Sequence, residues 1–150
     1  MDSALHRSDA VRPVALAVTM TALAEAFYFV VWGLYLFPEG SILGKLVWTL
    51  TCGIAMGSVI GSATIMLVVG RLEGAAALVS SALTFFVVAS TCAVLCSSID
   101  ARFGYFGGAE NAELFVLAGV IPGAFGAIVY ALLLFSAPGR GILQRMGLGR

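Results

Sequence analysis

The sequence predicts an all-α membrane protein, with four transmembrane helices in an antiparallel up-down bundle, and three observations lead there. Hydrophobic residues make up 61% of the 150 positions and charged ones only 11%, with a mean hydropathy of +1.05, well away from soluble domains. Four apolar runs each reach the roughly 20 residues a helix needs to cross about 30 Å of hydrocarbon. The charges fall almost wholly between those runs. With a formal net charge of zero, no basic excess points to nucleic acid as a partner.

The first run, about 13–37, contains one charge, Glu25, and starts with Pro13, which suits the first turn of a helix. The second (46–70) and third (75–99) are separated only by Arg71-Leu72-Glu73-Gly74, so they are expected to form an antiparallel hairpin. The fourth (111–136) has Asn111 as a plausible N-cap and is stopped by Pro138 and Gly139. Short tails, 1–12 and 137–150, complete a single domain. The second tail alternates Arg140, Arg145 and Arg150 with apolar residues and suits a surface of anionic headgroups. Between runs three and four, Phe103, Tyr105 and Phe106 are expected at the lipid interface.

Arg7, Arg12, Arg71, Arg140, Arg145 and Arg150 share one side of this topology, leaving Lys45 and Arg102 on the other. Short cytoplasmic segments retain basic residues, so both termini are expected in the cytoplasm, with the inner membrane of a bacterium as the expected location. Arg12 followed by an apolar stretch and Ala22-Leu23-Ala24 also resembles a signal peptide. Cleavage there would leave 26–37 as an apolar start, whereas the uncut run has normal spanning length.

Glu25 is the most informative residue. An ionised carboxylate halfway along a spanning helix costs several kcal/mol unless it is neutralised, paired or hydrated. It therefore reads either as a proton or cation site or as an acid bridging two helices. Thr21, Glu25, Tyr28, Trp32 and Tyr35 recur at helical spacing and form one polar seam, while Val30, Val31 and Leu34 suit lipid. Counting along the runs places Glu25, Gly57 with Ser58, Thr84, and Pro122 with Gly123 at similar depth. Pro122 removes one backbone donor and is expected to kink its helix. A proline-freed carbonyl near a buried acid is one way membrane proteins build small sites.

Gly53, Gly57 and Gly61 repeat every fourth residue, a stripe that lets another backbone approach closely. Gly119, Gly123 and Gly126 are further candidates for helix packing. Cys52, Met56, Cys92 and Cys96 carry soft sulfur donors that could hold Cu(I) if they converged. A disulfide from Cys52 to one of the others is equally allowed, and simple packing of small apolar residues is the leading account.

The only histidine, His6, lies in a tail, and no nucleophile–base pair, phosphate loop or Cys-x-x-Cys is present. No cofactor, no resident metal and no catalysis are expected. Ala24-Glu25 with its aromatic-rich helix resembles the ion-carrying helix of rotary-ATPase ring proteolipids. Pro122-Gly123-Ala124-Phe125-Gly126 resembles another of their helices, and the glycine stripe their inner one. That resemblance implies a rotor-ring-like role as a minor alternative, although the carboxylate helix comes first here and the proline helix runs the opposite way. The leading expectation is a non-catalytic subunit that packs through the glycine stripe into a homo-oligomer or a larger membrane complex. The alternative is a small proton- or cation-coupled channel or transporter using Glu25.

Overall fold

The computed structural model describes residues 2–106 and 108–148, with side chains described for 10–106, 108, 110, 113 and 120–148. Every regular element among the described residues is helical: α1 (Asp2–Tyr28), a π-helical continuation (Phe29–Leu36), α2 (Ile42–Leu67), α3 (Gly74–Phe103), a 3-10 turn (Gly108–Asn111), α4 (Ala112–Phe135) and α5 (Ala137–Arg145). Three stretches, Ala10–Leu36, Ile42–Leu67 and Gly74–Phe103, are long and apolar enough to cross a membrane. A fourth is reached if Val120–Phe135 and Ala137–Arg145, bent by 84° at Ser136, are counted together. These properties mark an integral membrane protein.

The helices associate as two pairs, α1 with α2 and α3 with α4, and the α2–α3 contact is much the smaller. The tight turn after α2 thus joins two pairs rather than defining the principal hairpin. Gly70 and Gly74 take positive φ there, 76° and 58°, a backbone region that glycine enters without steric cost.

Several elements depart from the sequence expectation. The tail before Pro13 is helical, so Pro13 lies inside α1 rather than in its first turn. Its missing N–H forfeits one bond without ending the helix. The tail after Ser136 is α5, seated by Gly139, where an added Cβ would strike the backbone of Leu132 and Leu133. Leu143 is fully buried beneath it, while Arg140 and Arg145 are exposed. Arg150 lies outside the described residues, as does the side chain of Asn111. Pro122 stays within an unbroken α4, and the sharp bend comes at Ser136 instead.

The π-helical segment has a local cause and a long-range consequence. Phe37 N–H donates to Trp32 O five residues back, at 2.8 Å. The next donor in that pattern would be Pro38, which has no N–H to offer the Gly33 carbonyl. Lys45 supplies it: its Nζ donates to Gly33 O at 2.9 Å and also to Phe37 O. Lys45, placed between the first two runs by the sequence, lies within α2 and is 1% exposed. Its charge meets the negative end of a helix dipole there.

Candidate functional site

Between the two helix pairs lies a cavity of about 90 Å³ to which all four long helices contribute. From α1 come Met20, Thr21, Ala24, Glu25 and Tyr28; from α2, Trp48, Thr49, Cys52 and Met56. Phe85, Ala89, Ala93 and Cys96 of α3 face them, with Phe106 and the Pro122, Gly123 and Gly126 positions of α4. Space of this size has room for roughly a few water molecules, provided polar partners are present. Thr21, Glu25, Tyr28 and Thr49 are such partners.

Glu25 is partly buried in this wall, midway along the span Ala10–Leu36. Among the described residues no lysine or arginine pairs with it. Thr21, buried beneath it, donates its hydroxyl between Ala17 O (2.7 Å) in its own helix and Gly53 O (2.6 Å) in α2. Gly53 of α2 packs against Glu25: a Cβ there would lie 3.1 Å from Glu25 Cγ and 3.1 Å from Ala22 Cα. Depth counting had set Glu25 level with Gly57, so the observed register is shifted by about one turn.

The remaining stripe closes tightly on α1. At Gly57 an added Cβ would run into the Val18 backbone and lie 2.5 Å from Thr21 Oγ1, and at Gly61 it would run into Val14. The surface expected to bind another subunit is therefore covered by α1 of the same chain, which fits because α1 supplies only a helical backbone and small side chains along that line. Gly126 makes ordinary contact with Phe85, 3.6 Å from its ring. Gly123, expected as a packing position, has nothing among the described residues within 4 Å of an added Cβ, and it lines the cavity. The surroundings of Gly119 lie outside the described residues.

Two expected site residues are elsewhere. Ser58 donates to Ile54 O of its own helix at 2.8 Å, and Thr84, half-buried, does not line the cavity. The seam read along the first run ends at Tyr28. Past it the wider π turn rotates the chain, burying Gly33 and leaving Tyr35 81% exposed. Trp32 stacks on Phe37 at 5.6 Å.

Phe106 was expected at the lipid interface and is instead 1% exposed, covering the end of the cavity nearest Pro38. Asp100 holds it there, accepting from Tyr105 N–H (3.1 Å) and Phe106 N–H (3.3 Å) just after α3 ends at Gly104. Gly33 leaves room for the ring, since a Cβ there would lie 3.1 Å from Phe106 Cε1. Trp48, Phe103 and Tyr105 cluster beside it, centroids about 6 Å apart. Sequence reasoning missed both Lys45 and Phe106. The signals were Pro38, which orphans a carbonyl, and Asp100 followed closely by Gly104.

All three cysteines are free. Cys52 and Cys96 both line the cavity, and Cys92, one turn from Cys96, does not. Among the described residues no group of three or more His, Cys, Asp or Glu could hold a metal ion. No family model, no curated protein and no solved structure matches this chain.

Proposed function

We propose that this chain is a non-catalytic, four-span protein of a bacterial inner membrane, with both termini cytoplasmic, that passes protons or small cations through an exchange site at Glu25. The observation that carries the reading is that Glu25 lines a cavity between the helices at mid-span with room for roughly a few waters, accompanied by Thr21 and Tyr28. A carboxyl group at that depth needs hydration or a bound cation whenever it ionises, and the cavity is where either can be supplied. This reading is preferred to a subunit that assembles through the glycine stripe because α1 already covers that stripe. Charge supports the orientation: exposed Arg71, Arg140 and Arg145 fall at one end of the bundle.

The decisive measurement is flux in liposomes containing the purified protein, with a pH-sensitive dye inside and an imposed potential. Wild type should acidify faster than protein-free vesicles. Glu25→Gln should assemble normally yet lose the flux. Equal flux from wild type and Glu25→Gln, or none from wild type, would overturn the proposal. The orientation has its own test: a C-terminal alkaline phosphatase fusion should be inactive and a fluorescent-protein fusion bright, and the reverse pattern would refute it.

A further inference from the structure

We infer that the sulfur atoms around this cavity form a binding site for a soft monovalent metal ion, Cu(I) or its redox-inert analogue Ag(I). Cys52 of α2 and Cys96 of α3 line the same cavity from two different helices. Met56, one turn from Cys52, lines the same cavity, and Met20 adds a fourth sulfur from α1. Thiolate and thioether are the ligands that select Cu(I) over harder ions. Zn(II) fits this set poorly, because structural zinc sites use four N, S or O ligands and no such cluster occurs among the described residues.

Binding of a monovalent ion also preserves charge neutrality with the loss of a single proton. Binding exchanges one proton for one metal ion: a cysteine S–H bond breaks, an S–metal bond forms, and the proton leaves to solvent. No oxidant or reductant is consumed. One thiolate with a monovalent cation is neutral, while the second thiol and the methionines contribute lone pairs without charge. A divalent ion would reach neutrality only by displacing the protons of both thiols, so the number of protons released on binding tells the two kinds of ion apart. Cys92 does not line the cavity and belongs outside the site.

The site is separable from the flux reading, since it requires binding but no transport. The test is an Ag(I) titration of the reduced protein in detergent, with metal stoichiometry measured and each cysteine's alkylation by N-ethylmaleimide read by peptide mass spectrometry. One Ag(I) per chain is expected, protecting Cys52 and Cys96 but not Cys92. Cys52→Ser and Cys96→Ser should lose the stoichiometric ion, Met56→Leu should weaken it, and Cys92→Ser and Glu25→Gln should retain it. Protection of Cys92 alone, absence of protection, or full binding by Cys52→Ser would overturn the site. Should the serine variants fail to fold, the protection pattern of wild type decides.

Discussion

The seam between α1 and α2 is built differently in its two halves. Towards Pro13, Gly57 and Gly61 press directly on the backbone of Val18 and Val14. Towards Pro38, the helices are linked instead by polar groups: Thr21 to the Gly53 carbonyl, then Lys45 to the carbonyls of Gly33 and Phe37. Lipid tails are as apolar as leucine, so helices in a bilayer gain little from hiding apolar surface and associate through close packing and hydrogen bonds. This chain uses the first device where the seam is closed and the second where it borders the cavity. The same residue type can therefore mean opposite things: glycine closes the contact at Gly57 and leaves it open at Gly123.

The largest effect should follow from attacking the closed half. Gly57→Ala places a methyl group where the Val18 backbone already lies, and overpacking of this kind costs about 1–3 kcal/mol. Neither helix can move away without disturbing Gly53 and Gly61. Thermal unfolding in detergent should show a clearly lowered midpoint, and Gly57→Leu should fail to give a monodisperse protein. An unchanged midpoint for both variants would mean that the seam is not closed as described.

Attacking the polar half should cost somewhat less and act locally. Lys45→Met keeps much of the side-chain volume but leaves the Gly33 carbonyl without a donor, because Pro38 cannot replace it. A buried acceptor left unsatisfied costs about 1–3 kcal/mol, more when the lost partner was charged. Hydrogen exchange should quicken in Phe29–Leu36 well before it does in Gly74–Phe103. If protection in the π-helical segment is the same in the variant, Lys45 does not hold that segment.

What could be read from the sequence divides along similar lines. The apolar runs are legible because lipid forces each span to be long, helical and nearly uncharged. Thr21, Glu25 and Tyr28 were grouped by regular helical spacing, and they line one cavity with Pro122. Regular spacing also produced the errors: counting 3.6 residues per turn through Phe29–Leu36 put Tyr35 on the polar face, whereas the π turn exposes it. The roles of Lys45 and Phe106 depend on which carbonyl or cavity lies opposite, a fact about another helix that a local pattern does not contain. The glycine stripe announced a close contact, but its spacing is identical for a partner in the same chain and for one in another.

The smallest effect sharpens the comparison most, because it repeats the substitution at Gly57 and reverses the expected sign. Gly123 sits inside α4 with nothing among the described residues within 4 Å of an added Cβ. Alanine restricts the unfolded backbone, and glycine in a helix interior is less stable than alanine by roughly 0.5–1 kcal/mol. With no steric term to oppose that gain, Gly123→Ala should raise the thermal midpoint slightly while leaving assembly unchanged. Gly123 also lines the cavity, so in the liposome assay the added methyl group should reduce flux without abolishing it, unlike Glu25→Gln, which removes the proposed exchanging group. A destabilisation as large as that of Gly57→Ala would show that α4 presses on a neighbour at Gly123, leaving no open wall there for water or a cation to use.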